Sequence, residues 1–171
     1  MVKQQKRQHA DDFGTEFEEK VLHINRCSKA AKGGRIFSFS ALYLIGDKKG
    51  HVGFGFAKAK EVSDAIRKAT EAAKKNVHTI ELEDGRTIPH EVLIDWDGSK
   101  LLLKPAPPGT GIIAGSKVRA VLELAGVTDI VAKNLGSSNP INQVKAAFKA
   151  FGQLKNRETL LSERREEHRH V

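Results

Sequence analysis

An α+β fold built from two small units is what the sequence predicts, on three observations. Residues 21–57 carry aromatic and β-branched residues in strand patterns broken by glycine turns. Residues 61–77 then switch to a helical period, and Asp-Gly turns at 84–85 and 97–98 open a second round of strands before two more helical patterns. The 171 residues leave room for one ordinary domain or two small ones, which excludes a large multidomain enzyme.

The first organised stretch is Val21-Leu22-His23-Ile24-Asn25-Arg26. Ser28-Lys29-Ala30-Ala31-Lys32-Gly33-Gly34-Arg35 follows, and its glycine pair and small residues predict a long, flexible turn. Residues 36–45 read as a strand, and Gly46-Asp47-Lys48-Lys49-Gly50 as a hairpin loop. In the partner strand, residues 51–57, Val52, Phe54 and Phe56 alternate with Gly53, Gly55 and Ala57, which leaves one face almost bare. Across residues 61–77, Val62, Ala65, Ile66, Ala69, Ala72, Ala73 and Val77 fall on one helix face, an Ala-rich stripe that can approach a sheet closely. Phe37, Phe39, Phe54 and Phe56 alternate on strands beside basic residues, an arrangement that could stack unpaired bases; core packing is the expectation, because the Ala-rich helix needs large partners to fill the space beneath it.

In the second half, the apolar runs Val92-Leu93-Ile94 and Leu101-Leu102-Leu103 around Asp97-Gly98 predict a meander. Residues 104–115 hold three of the five prolines together with Gly109, Gly111 and Gly115, so their path is stiff and specific. Ser116 is expected to cap a helix with Val118, Val121, Leu122 and Ala125 inward and Gly126 as its stop. Residues 128–132 read as a short strand. Asn139-Pro140 then opens a last helix burying Ile141, Val144, Ala147, Phe148 and Phe151. Residues 1–16 read as a flexible arm and 157–171 as a charged tail.

The net charge is +8, and residues 1–78 hold 16 basic against 9 acidic side chains, so nearly all the excess lies in the first half. A polyanionic partner is the first expectation. The single cysteine, Cys27, excludes a disulfide framework and a multi-cysteine zinc site, and fits a reducing compartment. No apolar stretch has the length of a membrane span or a signal peptide, so a soluble, cytoplasmic protein without a membrane partner is expected.

Five motifs occur in order. They are Gly33-Gly34-Arg35-Ile36-Phe37-Ser38-Phe39; Val52-Gly53-Phe54-Gly55 running into Lys58-Ala59-Lys60-Glu61-Val62; Gly109-Thr110-Gly111-Ile112-Ile113-Ala114-Gly115; Val118-Arg119-Ala120-Val121-Leu122-Glu123-Leu124-Ala125-Gly126; and Gly136-Ser137-Ser138-Asn139-Pro140-Ile141-Asn142. Together, over residues 17–156, the chain closely resembles the family of protein five of the bacterial small ribosomal subunit, with Ala57, Ser63 and Ser116 standing where Gly, Pro and Gly are usual. The resemblance implies a three-stranded sheet plus helix of the double-stranded-RNA-binding type at 17–80 and a C-terminal α/β domain with a left-handed βαβ crossover at 81–156. It implies a structural constituent of the small subunit that binds small-subunit rRNA, stabilises head relative to body and contributes to translational accuracy. The implied neighbours are small-subunit proteins four and eight, with mRNA close by where it enters the subunit. No catalytic residue, cofactor or metal is expected.

Helical RNA offers phosphates, 2′-hydroxyls and a shallow groove, so a protein reads it by shape and by cations at backbone spacing. Lys20, Arg26, Lys29, Lys32 and Arg35 suit that need around Gly33 and Gly34, where bare backbone can approach phosphates. The alternative is a solvated surface loop. Lys58 and Lys60 precede a helix start, whose free N–H groups attract anions; simple solvation is again the alternative. In the resembling family Gly109, Thr110 and Gly111 bend the backbone at the contact with protein four. An ATP-dependent phosphotransferase and an RNA-binding module outside the ribosome are the rival functions. No cluster of acid, base and metal ligand accompanies the loop at Gly109-Thr110-Gly111, which argues against the first, and that loop lacks the Gly-Lys-Ser/Thr ending of a phosphate loop; a dinucleotide reading of Gly53-Phe54-Gly55 lacks both a third glycine and a well-placed acid.

Overall fold

The computed structural model describes residues 17–155 and residue 161, so the expectations for the arm at 1–16 and for nearly all of the tail lie outside the described residues. The chain divides into two compact units. The first runs to Asp47 and resumes over Val52–Val77; the second takes Lys48–His51 and everything from His78 onward. Among the described residues no helix is long and apolar enough to cross a membrane.

The first unit contains β1 (Glu18–Ala31), β2 (Gly34–Gly46), β3 (His51–Ala59) and α1 (Val62–Lys75), and a short β4 (Val77–Thr79) completes the sheet order β1-β2-β3-β4. β1 and β2 pair antiparallel from Glu18↔Gly46 to Ala31↔Gly34, with one irregularity between Val21 and His23. The long turn expected over residues 28–35 is therefore wrong. Residues 28–31 pair with 34–37, and only Lys32 and Gly33 turn, with φ of +95° at Gly33 and +148° at Gly34. Both faces of this distal ribbon are largely exposed, so it carries none of the apolar alternation that marks a half-buried strand.

Side chains directly opposite in an antiparallel pair share a face. Gly53, Gly55 and Ala57 lie opposite Ile45, Tyr43 and Ala41, and this is the face that receives α1. Ala41, Tyr43 and Ile45 pack with Ala65, Ala69 and Ala73 as the core of the unit. The fit is close: a Cβ on Gly53 would lie 2.7 Å from the Ala73 carbonyl oxygen, and one on Gly55 would strike the Ala69 carbonyl oxygen. The bare strand face and the Ala-rich stripe thus meet as their spacing predicts. The four phenylalanines do not fill that core. Phe54 and Phe56 share the opposite face with Leu44 and Leu42, and Phe37 and Phe39 lie towards the ribbon tip, with Phe37 43% and Phe56 46% exposed. On β3 the backbone approach of α1 to Gly53 and Gly55 leaves no room for rings beneath the helix, and the ring that packs there, Tyr43, comes from β2.

The second unit contains β5 (Val92–Trp96), β6 (Ser99–Pro105), β7 (Ile112–Ile113), α2 (Ser116–Ala125), β8 (Ile130–Asn134) and α3 (Pro140–Phe151), with sheet order β5-β6-β8-β7. The Asp97-Gly98 turn joins β5 to β6 with positive φ at both residues, while the Asp84-Gly85 turn closes a single bridge, Glu83↔Thr87. β7 and β8 run parallel, so β7-α2-β8 is a βαβ unit. β7 has only two residues, too few to leave a periodic trace, and the strand expected at 128–132 lies at 130–134. Gly115, not Ser116, holds the N-cap of α2, and no side chain bonds there. At the other end Gly126 takes φ +87°, Val127 N–H donates to the Leu122 carbonyl, and the N–H groups of Lys48 and Gly50 donate to the Leu124 and Ala125 carbonyls at 3.0 Å. The last carbonyls of α2 are satisfied in this way. Pro140 opens α3, with the Asn139 side chain accepting the Ile141 N–H at 3.2 Å. Val144, Ala147, Phe148 and Phe151 are buried as expected, whereas Ile141, expected with them, is only half-buried in the first turn.

Candidate nucleic-acid interface

The β1–β2 ribbon positions most of the candidate cations. Lys20, Arg26, Lys29, Lys32 and Arg35 are all exposed, and no acidic residue occurs between residues 20 and 46. The register divides them. Arg26 and Arg35 lie on the side that carries Phe37 and Phe39; Lys20 and Lys29 lie on the other, with Leu44 and Ile36 as their cross-strand neighbours; Lys32 sits in the turn itself. A ribbon with cations on both faces and at its tip can contact phosphates on either side of a groove it enters. A Cβ on Gly33 or Gly34 would meet nothing within 4 Å, so the backbone at the tip is open to close approach.

Arg26 does not extend freely into solvent. Its guanidinium carbon stands 3.8 Å from the centroid of the Phe37 ring. The sequence favours core packing over base stacking for Phe37 and does not pair it with Arg26; the signal that could find the pair is strand parity, because Arg26 lies opposite Phe39 and diagonal to Phe37.

Lys58 and Lys60 are not one site. Lys58 is on β3 opposite Ser40, on the face away from α1, whereas Lys60 is in the bend before Glu61, the N-cap of α1. Glu61 forms no side-chain cap bond and Asp64 occupies the first turn, so two carboxylates stand where an anion would approach.

Gly109, Thr110 and Gly111 form a separate, braced loop in the second unit. Gly109 and Gly111 have φ of +87° and +74°, and the Thr110 hydroxyl donates to the Pro107 carbonyl at 2.8 Å. Asp129, which the sequence did not single out, holds this loop. Its carboxylate accepts the Gly111 N–H at 2.9 Å and the Thr128 hydroxyl at 3.2 Å, and Arg86 stands 3.8 Å away. The Asp129 side chain is only 7% exposed. The Gly111 N–H, outweighing the opposing effect of burial, holds its carboxyl below the usual value, with help from Thr128, Arg86 and the Gly109 N–H.

The folded state therefore binds fewer protons at Asp129 than the unfolded chain. Its contribution to stability is complete above the ordinary carboxylate range and is lost as pH falls through that range towards the folded value. Asp129→Asn, which keeps an acceptor for Gly111 but removes the charge, should lower the melting temperature at neutral pH. The gap from the wild type should narrow below about pH 4, as followed by thermal circular dichroism. A gap independent of pH would contradict the assignment.

Comparison with known proteins adds a family. The family model described as ribosomal protein S5, N-terminal domain, matches residues 17–81, and that of ribosomal protein S5, C-terminal domain, matches residues 95–165. The chain is 63% identical over 163 residues to the small ribosomal subunit protein uS5 of Chlamydia felis, covering 95% of this chain and 97% of that one. It is 66% identical over 150 residues to the protein of the same name from Protochlamydia amoebophila, covering 88% and 89%. The Chlamydia trachomatis serovar D relative is 60% identical over 156 residues, 91% of this chain and 93% of its own. With both domain models matched in order and relatives of this identity spanning nearly its whole length, the chain belongs to the ribosomal protein S5 family.

Proposed function

We propose that the chain is a structural, non-catalytic constituent of the small ribosomal subunit that grips small-subunit rRNA with the β1–β2 ribbon. The observation that carries this reading is a two-stranded ribbon with Arg26, Lys29, Lys32 and Arg35 exposed on both faces and at the tip, and no carboxylate from residue 20 to 46. Lys20 and Lys58 extend the basic surface along the sheet, and Lys60 flanks it at the start of α1. A hydrogen-bonded ribbon transmits force where a flexible loop would not. One whose tip is held by RNA can restrain the head of the subunit against its body. The braced loop at Gly109, Thr110 and Gly111 offers a rigid backbone to a neighbouring protein, and family resemblance names small-subunit proteins four and eight as the neighbours, the interface with protein four as the route to decoding accuracy, and mRNA as a molecule close by.

The test is co-sedimentation. The wild-type chain should remain with small subunits after a moderate-salt wash. Quantitative release by that wash, with free duplex RNA still bound, would favour an RNA-binding module outside the ribosome and overturn the reading.

A further inference from the structure

We propose that Arg26 and Phe37 form a stacking platform for one unpaired RNA base, an inference that rests on the ribbon being an RNA contact. Phe37 is 43% exposed and carries the Arg26 guanidinium at 3.8 Å over one ring face. A guanidinium is a flat cation with two faces. One lies on Phe37, and the exposed side chain leaves the other to take a nucleobase. The surroundings select the occupant. Arg35 is on the same side of the ribbon, two residues before Phe37, and can hold the phosphate attached to such a base. The absence of carboxylates from residue 20 to 46 makes a polyanion the complementary partner. A paired base cannot use this platform, because its faces are already covered within the duplex; a bulged or looped nucleotide can. The ribbon then does more than neutralise backbone: it selects a place where the RNA is irregular.

The experiment compares a blunt RNA duplex with the same duplex interrupted by a bulge of unpaired adenosines, one of them replaced by 2-aminopurine. The wild-type chain should prefer the bulged RNA by about fivefold or more and quench the 2-aminopurine fluorescence. Phe37→Leu should lose both the preference and the quenching, while keeping its affinity for the blunt duplex and the salt dependence of that affinity. Phe37→Tyr should retain all four. A preference unchanged in Phe37→Leu, or not retained in Phe37→Tyr, overturns the platform. Equal affinity of the wild type for the two RNAs also overturns it and leaves the ribbon as a backbone contact, whereas failure to bind either RNA overturns both readings.

Discussion

Replacing Gly55 with alanine is expected to destabilise the first unit by about 3 kcal/mol or more, a larger effect than a single added methyl usually has. The added Cβ would strike the Ala69 carbonyl oxygen and lie 2.6 Å from the Ala73 nitrogen, both backbone atoms of α1. No rotamer change relieves such a clash. The helix must lift from the sheet as a body, which loosens Ala65, Ala69 and Ala73 from Tyr43 and Ile45. Urea unfolding followed by circular dichroism measures the loss. Gly115→Ala is the control, because its Cβ would meet nothing within 4 Å. It should cost less than about 1 kcal/mol. A Gly55→Ala midpoint equal to that of the control would contradict the close seating of α1.

Removing the four ribbon cations together, as Arg26→Ala, Lys29→Ala, Lys32→Ala and Arg35→Ala, should cost about three and a half orders of magnitude in RNA affinity near 0.1 M salt. With about 0.9 released counterion per phosphate contact, each cation is worth roughly eightfold at that salt, taking duplex DNA as an upper guide. Counting the five ribbon cations as contacts, the log–log slope of affinity against salt should change from roughly −4.5 to about −1, with Lys20 as the one ribbon cation left. All four side chains are exposed, so the far-ultraviolet spectrum and the unfolding midpoint should stay those of the wild type. An unchanged salt slope would remove the ribbon from the interface.

The parts of this fold that were legible in the sequence are those fixed by local chemistry. Gly53 and Gly55 at strand spacing, facing Ala65, Ala69 and Ala73 at helical spacing, admit one close packing, and it is the one observed. Asp97-Gly98 and Asn139-Pro140 act over two residues, and both do what their chemistry dictates. Features that depend on distant partners were not legible. Asp129 acquires its role from Gly111 and Arg86, which lie far from it along the chain. Ser28 to Ala31 look like a turn because strand residues exposed on both faces carry no hydrophobic signature. Residue size favours core positions for the four phenylalanines, but the register puts Phe54 and Phe56 opposite Leu44 and Leu42, away from the helix, and Phe37 and Phe39, though of the same parity as Ala41, Tyr43 and Ile45, lie further out along the ribbon. For the candidate interface, the same point holds. Composition found the cations, but only the register divides them between two faces and puts Arg26 on Phe37.

Directed cleavage from the ribbon tests the central claim most directly. Cys27 is the only cysteine and lies on β1, so Ser28→Cys in a Cys27→Ser background gives one exposed thiol beside Arg26 and Lys29 for a tethered iron chelate that generates hydroxyl radicals. In small subunits assembled with this chain, strong, localised cleavage of the small-subunit rRNA is expected on both sides of the ribbon. Cleavage no greater than that of the Cys27→Ser chain alone, in subunits that contain the labelled protein, would contradict that claim.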